Sequence, residues 1–278
     1  NRLKQTVKLG KVSWQLGEKE TEMFNSYLNM KSKVILDMPT DGILAFFSIN
    51  EDILVDPIEN QKYAKKNIKN SIHSLCSTSV FDINSNFKNL KDSEKIDKEI
   101  IQSYTISHEV KCFSLFYKVF VDGILTGKLN YYKIYDFFES QTWYGTKFKR
   151  GMTDNEIDQN SNWLTMVAPG IHNLFAQFEL SVLMNTNKIN NFILAMDSLT
   201  LKFEGALRDF IRLSGGNTST SKNGELKEQL LEELLENQTT KKYFTEKDVE
   251  LFKYTFTRKG KNLRNNIAHS FLQFSGVF

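Results

Sequence analysis

Only three prolines, Pro39, Pro57 and Pro169, interrupt the 278 residues of this chain. Proline is the strongest single breaker of a helix, because it lacks the N–H and clashes with the preceding turn. Long stretches here carry no such breaker. Short strands do not recur at regular spacing, and no fixed-period repeat is visible. The chain therefore reads as all-α, a multi-helix protein.

The individual segments support that reading. "EKETEMFNSYLNM" forms one helix within the first 40 residues. The short apolar stretch between Pro39 and Pro57 fits a helix or a strand equally well. Tyr63, Ile68, Ile72 and Leu75 recur at helical spacing in an amphipathic segment. A long helical pattern opens at Asp92 or Ser93 as cap and runs to about 125. The aromatic-rich stretch 130–145 ends at Gly145; its Tyr131, Tyr132, Tyr135, Phe137, Phe138, Trp143 and Tyr144 fit a core or interface helix better than a base-stacking platform. Residues 146–162 are polar and form the best linker candidate.

Two regions are expected on this basis. Residues 1–160 form a mostly helical N-terminal region of unknown role, and residues 161–278 form a helical bundle. In the second region Pro169 is expected to start a helix. A longer helix carries Phe203, Leu207, Phe210 and Ile211 and stops at Gly215-Gly216. A polar loop, "NTSTSKNG", precedes a leucine-rich helix with Leu226, Leu230, Leu231, Leu234 and Leu235. Thr245 and Asp248 make a capping pattern for the next helix, which Gly260 closes.

Bulk chemistry excludes several classes. Net charge is +3, so no global basic field demands nucleic acid and any such site is local. The usage is skewed, with 25 Asn and 30 Lys against 7 Ala, as a genome poor in G and C would give. Cys76 and Cys112 form no metal or redox pair and read as free buried thiols of a reducing, cytoplasmic compartment. The start lacks the apolar region of a signal peptide, and no apolar run is long enough for a membrane span. No phosphate loop, nucleophile elbow or metal-ligand spacing is present, so neither cofactor nor metal is expected. His73, His108 and His172 are scattered and read as non-functional.

The chemistry concentrates in "KGKNLRNNIAHSFL", residues 259–272. Asn262 suits the N-cap of a last helix, and Leu263, Ile267, Phe271 and Phe274 fall on one apolar stripe. Arg264, Asn265 and His269 lie on the flank, with Arg264 and His269 about 140° apart on the wheel. Arg258, Lys259, Lys261 and Arg264 supply four cations in seven positions. A guanidinium can grip phosphate with two prongs, and histidine exchanges protons near neutral pH. Together they suit phosphodiester cleavage without a metal. The bland alternative is a capped helix whose arginine pairs with an acidic side chain such as Glu204. Glu204 and Arg208 on the preceding long helix read as an i,i+4 ion pair.

"NLRNNIAHS" resembles the Arg-polar-x3-His signature of the HEPN (higher eukaryotes and prokaryotes nucleotide-binding) superfamily. The wider stretch "FEGALRDFIRLSGGNTST…LKEQLLEELL…LRNNIAHSF", within about residues 195–275, is similar to a bacterial HEPN-like family. The resemblance implies a small all-α bundle for residues 161–278 and metal-independent endoribonuclease activity, as in toxins and phage-defence effectors. It implies Arg264 as the phosphate-stabilising residue, His269 as acid/base and Asn265 as the residue orienting them. Glu204 and Arg208 match the family's helix and would border the site, and the resemblance implies a homodimer with two motifs facing one cleft. By their charge, Arg258, Lys259 and Lys261 read as an RNA-steering patch or equally as a solvated turn. No membrane is expected, and a regulatory protein partner is a further expectation. The alternative is a silent HEPN-like module that binds a nucleotide or a protein. Ser270 stands where the family usually has Gly.

Overall fold

The computed structural model describes residues 17–70, 79–81, 87–148, 162–184, 192–222 and 224–269. Twelve α-helices run along these residues: α1 Glu18–Leu36, α2 Thr40–Ile49, α3 Pro57–Asn70, α4 Asp92–His108, α5 Ser114–Leu125, α6 Tyr131–Gln141, α7 Trp163–Leu183, α8 Ile193–Leu213, α9 Leu231–Glu236, α10 Gln238–Tyr243, α11 Glu246–Phe256 and α12 Leu263–Ala268. Two short antiparallel hairpins accompany them, β1 Ser79–Phe81 with β2 Phe87–Asn89 and β3 Ser219–Lys222 with β4 Glu225–Glu228. The protein is all-α in class, as its proline spacing implies.

The largest core joins α1, α2, α5, α6 and α7 through Leu28, Ile35, Ile43, Leu115, Val119, Ile134, Leu164 and Phe175. Each such side chain contributes about 1.5–3 kcal/mol by leaving water. α1 is fixed on α5 by a polar contact as well. Ser32 Oγ donates to Asp122 Oδ2 at 2.8 Å, and within α5 Lys118 Nζ holds the same carboxylate, donating to Asp122 Oδ1 at 2.9 Å. The aromatic stretch of α6 does pack as core: Ile134 and Phe137 are buried, while Tyr132 faces out.

A second core holds the site. Leu207 and Ile211 of α8 pack against Leu231, Leu234 and Leu235 of α9 and Val249 of α11. Phe203 stacks on Phe256 with ring centroids 4.1 Å apart. Two smaller clusters accompany these cores. Val55, Tyr104 and Tyr254 link α4 to α11, and Phe148, Trp163 and Ala206 link α7 to α8.

Four local expectations are corrected. Pro169 does not begin α7; it lies inside it. Asn162 caps that helix instead, its Oδ1 accepting from Thr165 N at 2.8 Å. Burial of Trp163, Leu164, Val167 and Ala168 outweighs the roughly 3 kcal/mol that an internal proline costs. The leucine-rich helix does not begin at Glu225. Residues 225–228 form β4, because Gly224, at φ +78°, turns the chain back on β3. α9 starts at Leu231, where the Glu233 carboxylate accepts from Leu230 N at 2.9 Å. Third, the long pattern after Asp92 is not one α-helix. A π-helical turn, Glu109–Phe113, separates α4 from α5. The cap of α4 is Lys91, one residue earlier than expected, with Glu94 accepting from its N–H at 2.9 Å. Fourth, Asn262 does not cap α12 in the usual way, as described below. The Thr245–Asp248 capping box is present, with Asp248 N donating to Thr245 Oγ1 at 3.2 Å and Thr245 N to Asp248 Oδ2 at 3.0 Å.

Candidate functional site

α12 springs from a tight turn after α11. Lys261 N donates to Tyr254 O at 2.6 Å, and Gly260 N and Asn262 N both donate to Thr257 O at 3.1 Å. Gly260 is required by close approach: a Cβ there would lie 2.1 Å from Tyr254 O. Asn262 then adopts the left-handed region, φ 52° and ψ 33°, and its side chain caps no backbone N–H. Asparagine is among the few residues that enter this region readily. Its Oδ1 instead accepts from Asn265 Nδ2 at 2.8 Å.

That amide bond starts a polar chain. Asn265 Oδ1 accepts from Arg264 Nη1 at 3.0 Å, and Arg264 Nε donates to Glu204 Oε2 at 3.0 Å. Glu204 Oε1 accepts from Arg208 Nη2, also at 3.0 Å. The same Nη2 donates to Gln229 O at 2.8 Å, and Arg208 Nε lies 3.1 Å from Glu228 Oε2. One well-buried carboxylate thus holds two guanidinium groups from two helices. The two arginines and the two glutamates cancel in formal charge.

The residues singled out by sequence divide as follows. Arg264, Asn265, Glu204 and Arg208 come together in this network. Arg264 is half-buried, with a third of its side chain in solvent. His269 caps the C-terminal end of α12, donating its backbone N–H to Asn265 O at 3.0 Å, and its side chain is exposed. Arg258, Lys259 and Lys261 line the exposed outer side of the turn. Ile267 and Leu263 anchor α12, with Ile267 buried. Phe271 and Phe274 lie outside the described residues. α12 spans six residues as described, so its amide end adds little to the field and any hold on an anion rests on side chains.

Three participants were not anticipated: Asn262 as an amide partner, and Glu228 and Gln229 as partners of Arg208. No pattern in the sequence could have found the last two, because the hairpin that delivers them reads as helix. Two shallow concavities lie elsewhere, one between α1 and α5 beside Lys33 and Asp122, another on α4 beside Glu94 and Ile101. Of the other histidines, His108 packs against the Tyr104 and Tyr254 rings, His172 meets Tyr131 edge-on at 4.8 Å, and His73 lies outside the described residues. Cys112 is a free thiol pushed up to about 11 by burial; Cys76 lies outside the described residues. No described helix is long and apolar enough to cross a membrane. No protein-family model, curated protein or solved structure matches the chain.

Proposed function

We propose that the chain is a metal-independent endoribonuclease of HEPN type, working in the cytoplasm as a homodimer in a bacterial toxin or phage-defence system under the control of a regulatory protein. The observation that supports this reading is the pairing of an oriented arginine with an outward-facing histidine on one short helix. Glu204 and Asn265 fix the Arg264 guanidinium from two sides, while His269 stands exposed at the far end of α12. An oriented guanidinium stabilises the charge that develops on a phosphate under attack. In the proposed reaction one His269 takes the proton of a ribose 2′-hydroxyl, whose oxygen then attacks phosphorus. His269 of a second copy protonates the leaving 5′-oxygen, giving a cyclic phosphate and a free 5′-hydroxyl. Arg258, Lys259 and Lys261 lie on the exposed approach and would steer the RNA backbone.

The test is cleavage of single-stranded RNA by the purified chain and by His269→Ala. Cleavage that the substitution abolishes supports the proposal. Cleavage that survives it, or no cleavage by the unmodified chain, overturns it.

The second reading is a silent HEPN-like module that binds a nucleotide or a protein. It is favoured by Glu204, whose carboxylate already occupies the Nε edge that Arg264 would offer to phosphate. RNA or nucleotide binding without turnover is its signature.

A further inference from the structure

α1 is apolar on two faces. Leu28 and Ile35 are buried in the main core, and Ser32 between them bonds to Asp122. The other face carries Met23, Tyr27, Met30 and Val34, which remain between 46% and 65% exposed. At 100° per residue these four fall within about 60° of one another, roughly 125° round from the buried stripe. A helix with two apolar faces is ordinarily covered on both. The spacing 4-3-4 is the one by which two helices interlock side chains along a seam, crossing at about 20°.

The charges on α1 say what fits there. Its first half carries Glu18, Lys19, Glu20 and Glu22, net negative, and its second half carries Lys31 and Lys33, net positive. A second α1 laid parallel would set glutamates on glutamates and lysines on lysines. Laid antiparallel, it sets the acidic half beside the basic half and opposes the two helix dipoles. The antiparallel register that overlaps all four apolar residues is self-matching. Met23 meets Val34 of the second copy and Tyr27 meets Met30, with the two-fold axis between Tyr27 and Met30. That reciprocity is what a two-fold interface requires.

We propose that the exposed face of α1 pairs antiparallel with α1 of a second copy of this chain. The contact is independent of the nuclease reading, since no residue of the Arg264–His269 site takes part. Its size sets its strength. Four side chains cover roughly 400 Å² per copy, about half of what a standard interface buries. The pair therefore forms at micromolar or higher concentration and dissociates on dilution.

Sedimentation equilibrium on the full chain, from about 1 to about 200 µM, reads this directly. The expected result is a monomer–dimer equilibrium that Met23→Glu with Met30→Glu weakens by about tenfold or more, with an unchanged thermal midpoint because both side chains are exposed. Orientation is read by disulfide capture in a Cys76→Ser, Cys112→Ser background. A mixture of Met23→Cys and Val34→Cys chains should give the mixed disulfide in preference to either homodisulfide. A monomer across the range, a dimer indifferent to the double substitution, or homodisulfides of Met23→Cys as the main product would each overturn the proposal. His269→Ala should leave the equilibrium unmoved, so loss of cleavage and loss of pairing are separately visible.

Discussion

Glu204 and Arg264 are 60 residues apart and meet through a 3.0 Å hydrogen bond that ties the last described helix to α8. The carboxylate is nearly enclosed and shares its second oxygen with Arg208. Removing it leaves two guanidinium groups facing each other across a half-buried space. Glu204→Gln should therefore cost about 1–3 kcal/mol in urea unfolding. It should also tighten binding of a single-stranded RNA about threefold to tenfold, because a neutral partner no longer offsets Arg264. Unchanged stability together with unchanged RNA affinity would show that Glu204 is a bystander.

Gly260 offers a sharper test of how α12 is launched. An added Cβ meets the Tyr254 carbonyl and its own carbon and Cα, the latter two at 2.7 Å, and backbone cannot swing aside. Gly260→Ala should lose about 2–4 kcal/mol, well above ordinary surface substitutions. Gly127, at φ +67° with open space around it, is the comparison. Gly127→Ala should cost only the left-handed strain of about 1–2 kcal/mol. Urea midpoints of the two variants decide; an equal cost would mean that the turn 257–262 yields easily.

How much of this was legible beforehand varies with the range of the interaction. Helical class, the Thr245–Asp248 box and the Glu204–Arg208 pair follow from residues within a turn or two of each other, and periodicity encodes them. Pro169 misleads because the burial that keeps it inside α7 is a tertiary effect invisible in a local window. Glu225–Glu228 misleads because its leucine spacing fits a helix, while a left-handed Gly224 imposes a hairpin. The Glu204–Arg264 contact could be named only as one alternative for the motif, since choosing it required knowing that α12 packs on α8. The Asn262 conformation had no local sign at all: asparagine suits a cap and a left-handed turn alike.

The acid limb of stability should be traceable to Glu236. Hydrogen bonds from Lys241 and then Lys253 hold its carboxyl down at about 2, against an ordinary 4.5. A depressed carboxyl contributes stability above its unfolded value, and that contribution is lost as pH falls from there through the folded one. The window is thus pH 4.5 down to about 2. Glu236→Gln should flatten the decline of the thermal midpoint across that window, relative to the unmodified chain, while leaving the midpoint above it lower. An unaltered pH profile would mean that the three side chains do not hold together in solution.

His108 should give a second, separable limb nearer neutrality. Its ring packs against both Tyr104 and Tyr254, which also touch each other, with Phe113 of the π-helical turn on a further side. Its Nδ1 is buried without a hydrogen-bond partner among the described residues. Burial, and then the Lys261 charge, lower its pKa below 6.5. The Tyr104 hydroxyl is raised, by burial and then by Glu250, Cys112 and Tyr254. It remains protonated here and brings no compensating charge. The neutral imidazole is the folded form, so the unfolded chain takes up the proton first as pH falls below 6.5. Stability is full above that value and falls below it, until the folded histidine itself titrates. His108→Leu should remove the slope that the unmodified chain shows as pH falls below about 6.5. The effect reaches the motif, because Tyr254 covers His108 with its ring and accepts from Lys261 N with its carbonyl. Protection of the Gly260, Lys261 and Asn262 amides, taken relative to the intrinsic exchange rate at each pH, should therefore fall with acidification in the unmodified chain and not in His108→Leu. Protection that falls equally in both would separate the turn from His108 and confine the histidine to the α4–α11 junction.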